Sequence, residues 1–173
     1  LYLFNMRILI LFIFLITNVL AEELPGINNI VIHKAPKTYN NVIFLDNKDQ
    51  KININEYKDN LLILNFWATW CEPCKEEMPS LDKLQVNPGL DKIKIFAINI
   101  GKENQNKVNK FFIDLNIKNF KPYFDPPTTL AKKFSLRGIP TSILINKKGQ
   151  EFARIIGSIN FEDKNFLNWI KKY

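Results

Sequence analysis

The stretch that decides the fold covers residues 61–75 and reads LLILNFWATWCEPCK. Its first seven residues are apolar except for Asn65, which is typical of a strand buried on both faces. The only two cysteines of the chain, Cys71 and Cys74, follow at once, and a helix is predicted from Cys71 to Gln85. A strand that delivers a Cys-x-x-Cys pair to the start of a helix indicates a reversible dithiol/disulfide.

The start of this helix predicts different roles for the two cysteines. Residues three apart share a helix face, so the two sulfurs can join with little backbone movement. Pro73 falls in the first turn, where the missing N–H costs nothing. Cys71 is expected at the exposed N-terminal end, where unpaired N–H groups and the helix dipole lower the pKa of a thiol. We therefore predict that Cys71 is the nucleophile and Cys74 the resolving thiol.

Three other uses of two cysteines fit the sequence less well. A static disulfide would close a loop of only four residues, which constrains the unfolded chain little. A zinc site lacks a second Cys-x-x-Cys pair, and the only histidine, His33, lies far away in the sequence. Haem attachment requires Cys-x-x-Cys-His, but Lys75 stands in the last position. No metal is expected, and no cofactor besides the Cys71–Cys74 disulfide.

Two segments resemble the TlpA/ResA family of extracytoplasmic thiol–disulfide oxidoreductases, within the thioredoxin superfamily. They are residues 65–79, NFWATWCEPCKEEMP, and residues 138–149, GIPTSILINKKG. The matching order of elements runs from about Val42 to the C-terminus. The resemblance implies an α/β, thioredoxin-like fold, with a mixed central β-sheet flanked by helices and an N-terminal β-hairpin extension. It also implies an enzyme, a protein-disulfide oxidoreductase.

The resemblance further implies roles for residues outside the dithiol. Asn65 stands where cytoplasmic-type thioredoxins carry a buried aspartate, and asparagine cannot titrate. Glu77 matches an acidic residue found three positions after the second cysteine in ResA-like proteins. It shares a helix face with Cys74, and a buried carboxyl group there would couple to the thiols. The alternative is that Glu77 is a solvated helix charge, like Glu76.

The second motif implies a loop that contacts the client protein. In the thioredoxin fold the bond matching Ile139–Pro140 is cis, and the residue before the proline offers backbone groups to an extended client segment. The alternative is an ordinary trans proline that opens a strand. Thr141 follows in the same motif.

The remaining client contacts are expected from the residues that flank the sulfurs. Trp70 and Glu72, together with Pro73, are predicted to shape this contact surface. Trp67 is predicted to lie in the core, because alternation along the strand points it away from Phe66.

The N-terminus indicates export. Residues 8–20 are apolar except for Thr17 and Asn18, they follow Arg7, and Ala21 stands at a plausible signal-peptidase site. Because the run is shorter than the roughly 20 residues that span a bilayer, we predict a cleaved signal peptide at 1–21, with an uncleaved anchor as the alternative. A polar leader is predicted at 22–41, with His33 as an exposed bystander, and a thioredoxin-like domain at 42–173.

The rest of the chain predicts alternating strands and helices. Short strands are expected at 42–46 and 52–54, longer ones at 93–100, 142–146 and 151–156, a helical turn at 55–60, and helices at 104–115, 128–134 and 161–172. The formal charge of +7 is spread over single and paired lysines rather than gathered in one stripe, so nucleic-acid binding is not expected. We expect a monomer.

The resemblance implies a periplasmic reductant. Family members commonly keep cysteines reduced in the Cys-x-x-Cys-His motifs of apocytochromes c or in copper sites of oxidase assembly proteins. A membrane thiol transporter of the CcdA/DsbD type usually supplies the electrons. Two alternatives stay open. One is a disulfide-forming oxidant, and the other is a thioredoxin-fold adaptor whose dithiol binds Cu(I) or holds a partner protein without turnover.

Overall fold

The computed structural model describes residues 26–126 and 128–173, so the predicted signal peptide at 1–21 lies outside the described residues. Eight strands within the described ranges form one sheet. They are β1 (Ile30–Thr38), β2 (Ile43–Leu45), β3 (Lys51–Asn53), β4 (Leu61–Trp67), β5 (Ile93–Asn99), β6 (Pro122–Phe124), β7 (Thr141–Ile145) and β8 (Gln150–Ile156). The helices of the same ranges are α1 (Glu72–Gln85), α2 (Gln105–Asp114), α3 (Thr129–Lys133) and α4 (Lys164–Ile170), and a 3₁₀ turn covers Ile54–Tyr57.

The sheet is mixed, with the order β1-β8-β7-β4-β5-β6-β2-β3. The centre is parallel, because β4 pairs with β5 and β5 with β6 in the same direction. The other pairings are antiparallel, including β4 with β7 and β7 with β8. In the central pair, Trp67 at the end of β4 lies opposite Asn99 at the end of β5. The carboxyl ends of these two strands therefore meet at one edge, and α1 starts from that edge.

Alternation along β4 divides the core into two layers. Trp67 is fully buried on the face covered by α1, α2 and α4, where its ring stacks on Phe111 at 4.7 Å between centroids. Phe66 is fully buried on the opposite face, with Phe134 and Leu130. The prediction that Trp67 lies in the core and points away from Phe66 is confirmed. Because both faces are covered, β4 carries the continuous apolar sequence that a doubly buried strand needs.

Most predicted elements are confirmed to within a few residues at each end. The predicted β-hairpin extension is the antiparallel pair β2–β3, in which Phe44 lies opposite Ile52. The second predicted hairpin is the pair β7–β8 around the turn at residues 146–149. The strand β6 has no counterpart in the sequence prediction, because three residues that begin with Pro122 carry no periodic signal of their own.

The prediction of a polar leader at 22–41 is wrong for Ile30–Thr38, which form the edge strand β1 paired antiparallel with β8. His33 is not an exposed bystander, since its Nε2 lies 2.7 Å from Oε1 of Glu151 and its side chain is only 10% exposed. Tyr39 donates a hydrogen bond to the other carboxylate oxygen at 2.7 Å, and Arg154 binds both oxygens. His33 in β1 and Tyr39 just after it thus compensate in part for burying the Glu151 carboxylate.

Candidate active site

The two cysteines form a disulfide at the start of α1. The Cys71 and Cys74 sulfurs are 2.07 Å apart and their Cα atoms 5.3 Å apart. Cys71 is the N-cap residue, and its Sγ accepts a hydrogen bond from the backbone N–H of Cys74 at 3.3 Å. Cys71 is 5% exposed and Cys74 is fully buried. The expectation of an exposed Cys71 is therefore wrong in degree, although Cys71 is the more accessible sulfur of the pair.

A tight turn connects β4 to the disulfide. The backbone N–H of Cys71 donates to the carbonyl of Ala68 at 3.2 Å, so Thr69 and Trp70 occupy the two central positions of the turn. The indole of Trp70 projects into solvent and is 65% exposed. Glu72 and Pro73 are also exposed, and Pro73 falls within the first two positions of α1. The structure thus places Trp70, Glu72 and Pro73 on the surface around the sulfurs.

The second motif reaches the same edge of the sheet. The Ile139–Pro140 bond is cis, as the resemblance implies. Thr141, the first residue of β7, lies opposite Phe66 near the end of β4, so the preceding bond lies level with the start of the turn. Ile139 packs against the core cluster that contains both cysteines. Pro140 is buried, and its carbonyl accepts a hydrogen bond from Gly157 at 2.9 Å.

Glu77 is buried in α1 rather than solvated. It is 2% exposed, and its Oε1 accepts a hydrogen bond from Nδ2 of Asn65 at 2.7 Å. Within the described part of the chain, Oε2 has no hydrogen-bond partner of ordinary geometry. Burial raises the pKa of Glu77 to about 8, against smaller lowering effects from Asn65 and the nearby backbone N–H of Ile159. The carboxyl group is therefore largely protonated at pH 7.

Asn65 connects Glu77 to the strand that follows the cis-proline. Its Nδ2 also donates to Oγ of Ser142 at 2.9 Å, and Asn65 itself is fully buried. Ser142 lies opposite Asn65 in the pairing of β4 with β7. A neutral amide can hold this buried position without adding a charge beside the Glu77 carboxyl group.

Glu103 is a residue of this site that the sequence analysis missed. Its carboxylate accepts a hydrogen bond from the backbone N–H of Thr69 at 3.0 Å and another from the Thr69 hydroxyl. Asn99 at the end of β5 donates to the same carboxylate at 2.8 Å. One signal was available, because a loop that follows a parallel neighbour of β4 must pass beside the turn that follows β4.

In the part of the chain that is described, no cluster of three or more histidine, cysteine, aspartate or glutamate side chains is placed to hold a metal ion. Nor do residues 26–126 and 128–173 contain a helix long and apolar enough to cross a bilayer.

Comparison with known proteins identifies the family. The AhpC/TSA family matches residues 31–150, which is more than half of the chain. The chain belongs to this family. It is 32% identical over 117 residues to a thiol–disulfide oxidoreductase ResA of Bacillus cereus, and the alignment covers 68% of this chain and 66% of that relative. It is 29% identical over 132 residues to the ResA protein of Bacillus subtilis (strain 168), covering 76% and 73%.

Solved structures agree with this assignment. StoA from Bacillus subtilis superimposes with a TM-score of 0.61 at 29% identity, covering 73% of this chain and 93% of that one. A DsbF homologue from Corynebacterium diphtheriae gives a TM-score of 0.72 at 21% identity, covering 87% and 97%, and supports the fold alone. The predicted thioredoxin-like fold and ResA-like resemblance are confirmed. The chain has a Cys-x-x-Cys pair at disulfide distance, and the relatives it matches are named thiol–disulfide oxidoreductases. We conclude that it is a thiol–disulfide oxidoreductase.

Proposed function

We propose that this oxidoreductase is a periplasmic reductant of cysteine pairs in client proteins. The observation that carries the proposal is the difference in access between the two sulfurs, since Cys71 retains an exposed surface at the N-terminus of α1 and Cys74 has none. A client disulfide can reach only the first. The resemblance to ResA-like proteins favours reduction over oxidation, with apocytochrome c motifs or oxidase copper-site cysteines as the clients.

The exchange proceeds in two balanced steps. The Cys71 thiolate attacks one sulfur of the client disulfide, which forms a mixed disulfide and releases the other client sulfur as a thiolate. Cys74 then loses its proton, and its thiolate attacks the Cys71 sulfur. The Cys71–Cys74 disulfide forms, and the client leaves with both cysteines reduced. Two electrons move to the client, and a membrane donor of the CcdA/DsbD type would restore the dithiol.

Glu77 is suited to take the proton from Cys74. It lies one turn further along the same helix face and is held in place by Asn65. The acceptor is the ionised form of Glu77, which is the minor form at pH 7. Because a pKa of about 8 is close to that of a thiol, transfer from Cys74 to this carboxylate needs little driving force. An open groove of about 490 Å³ is lined by Glu77, Ser80 and Ile159 among others, so solvent lies near this helix turn.

The client surface would comprise the exposed groups around the sulfurs and the cis-proline loop. Trp70, Glu72 and Pro73 are exposed beside the disulfide, and the half-buried Ile139 packs against the core cluster that contains both cysteines. Thr141 is buried, at 1% exposed, so its side chain does not line this surface. An extended client segment would run past Ile139 and pair with its backbone. Export is supported by the sequence of residues 1–21, which has the order of a signal peptide.

Trapping of mixed disulfides tests the nucleophile. Cys74→Ser should accumulate mixed disulfides with an oxidised peptide that carries a Cys-x-x-Cys-His motif, because the second step is blocked. Cys71→Ser should trap few, because its remaining thiol is buried. Non-reducing gel electrophoresis with mass spectrometry measures both. Equal trapping by the two variants would contradict the assignment.

Export is tested separately. N-terminal sequencing of the periplasmic protein should give Glu22 as the first residue.

A further inference from the structure

We infer that Glu103 is a positioning residue, which fixes the Ala68–Cys71 turn and thereby aims Cys71 and Trp70 at the client protein. The inference concerns a residue in the loop between β5 and α2, outside the Cys-x-x-Cys and cis-proline motifs. Its client-dependent part rests on the proposed function, whereas its effect on the turn does not.

The contacts of Glu103 converge on one side of the turn. Thr69 is the first central residue of the turn, and Glu103 binds both its backbone N–H and its hydroxyl. A carboxylate that accepts two donors from one residue restricts the orientation of that peptide as well as its position. Trp70 follows Thr69 directly in the turn. The backbone N–H of Cys71, one residue further, closes the turn onto the carbonyl of Ala68. Movement of Thr69 would therefore move both client-facing residues.

Glu103 is itself held from the side away from the turn. Asn99 donates from Nδ2 to Oε2 at 2.8 Å, and its Oδ1 accepts from the backbone N–H of Gly101 at 3.0 Å. Lys107 forms an ion pair with Oε1 at 3.2 Å. Burial tends to raise the pKa of Glu103, but the hydrogen bonds from Thr69, Asn99 and Lys107 outweigh it and lower the pKa. The group is therefore a carboxylate near neutral pH, the form that accepts all of these bonds.

Gly101 shows how closely the loop is fitted to this carboxylate. A Cβ atom at this position would lie 2.5 Å from Oε2 of Glu103 and 3.0 Å from Cβ of Ala68. Both distances are shorter than ordinary contacts, so a side chain at 101 would displace the carboxylate, the turn or both. The backbone at Gly101 does not require a glycine for its own conformation, because its φ lies outside the positive range. The space for Glu103 is what excludes a larger residue.

Two reactions separate positioning from thiol chemistry. The first is reduction of a small aromatic disulfide, which measures the reactivity of the Cys71 thiolate with little demand on orientation. The second is reduction of an oxidised Cys-x-x-Cys-His peptide, which needs the client surface as well. For Glu103→Ala we expect the peptide rate constant to fall by between about ten- and a hundred-fold, as for comparable misplacements of reacting groups. The rate with the small disulfide should fall by less than about three-fold.

Matched variants make the test independent of folding defects. Gly101→Ala keeps the Glu103 charge but should reproduce the Glu103→Ala pattern, because the added Cβ displaces the carboxylate. Thr69→Ser keeps the hydroxyl donor and should retain the wild-type peptide rate, whereas Thr69→Val should lower it. Lys110→Met removes an exposed ion pair with Asp114 in the same helix, where the lysine side chain is 76% exposed, and it should behave as wild type.

The outcomes are distinct for the proposed function and for this inference. If the wild-type protein reduces the small disulfide but not the peptide, the proposed client class is wrong. The positioning role is then judged by hydrogen exchange of the Cys71 backbone N–H, which closes the turn onto Ala68. Exchange should be faster in Glu103→Ala and Gly101→Ala than in wild type, and it should stay unchanged in Lys110→Met. Unchanged peptide rates in folded Glu103→Ala, or a parallel fall of both rates, would overturn the positioning role.

Discussion

Replacing Glu77 with glutamine should remove a pH dependence of stability that wild type carries. The folded-state pKa of Glu77 is raised by burial to about 8, from an ordinary value of 4.5. Between these two values the folded protein holds a proton that the unfolded chain has lost. Stability from this group is thus fully present below pH 4.5 and is lost as the pH rises towards 8. Glutamine is neutral throughout and keeps the shape of the protonated side chain.

The magnitude follows from the shift. Each pH unit between the two pKa values changes the free energy of unfolding by about 1.4 kcal/mol, so wild type should lose about 3 kcal/mol relative to Glu77→Gln between pH 5 and pH 7.5. Urea unfolding of the oxidised proteins at several pH values in this range measures the difference directly. All other titrating groups are shared by the two proteins, so their contributions cancel.

Glu76→Gln is the matched control, because Glu76 precedes Glu77 in the same helix but is exposed. Its stability should follow wild type across the range to within about 0.5 kcal/mol, as for most surface substitutions. Parallel curves for wild type and Glu77→Gln would refute the reasoning, since they would mean that Glu77 ionises in the folded state as easily as in the unfolded chain.

Three further results are expected. In the reduced protein, Glu77→Gln should lower the apparent pKa of at least one thiol, measured by alkylation against pH, because a nearby carboxylate no longer opposes thiolate formation. Asn65→Asp replaces the amide group that lies 2.7 Å from the Glu77 carboxyl group with a second carboxyl group. In urea unfolding, the free energy of unfolding should fall by about 3–5 kcal/mol at pH 8 and by less at pH 5. Equal losses at the two pH values would contradict this. His33→Ala removes a hydrogen bond to buried Glu151 and should cost about 1.5–3 kcal/mol in the same assay, whereas exposed Lys34→Ala should cost little.

Local sequence signals are sufficient for the elements that carry the chemistry. The apolar run of β4 and the Cys-x-x-Cys pair predict a buried strand followed by the dithiol helix, and both occur within one residue of the predicted bounds. The Gly-Ile-Pro-Thr motif implies the cis bond through the family resemblance. Each of these features is encoded in consecutive residues, so one sequence is enough to read it.

The missed features depend on partners that are distant in sequence. The leader prediction fails for β1 because this strand is fixed by its pairing with β8 and by the contact of His33 with Glu151, more than a hundred residues later. The burial of Glu77 cannot be decided from helix spacing, because it depends on Asn65 in the neighbouring strand. Glu103 is hidden for the same reason, since its contacts with Thr69 exist only after β4 and β5 have paired.

The pairing of β1 with β8 also limits the distance between the dithiol and the N-terminal apolar segment. Ile30 lies opposite Ile155, close to the end of the sheet where Thr141 and the cis-proline loop lie. Only eight residues, 22–29, separate Ile30 from the predicted cleavage site, and a chain of that length spans roughly 30 Å at most. If the apolar segment stays in the bilayer, the dithiol is tethered close to the membrane surface, within range of a membrane-embedded electron donor. If the segment is removed, the enzyme diffuses freely and would meet the proposed donor only by collision.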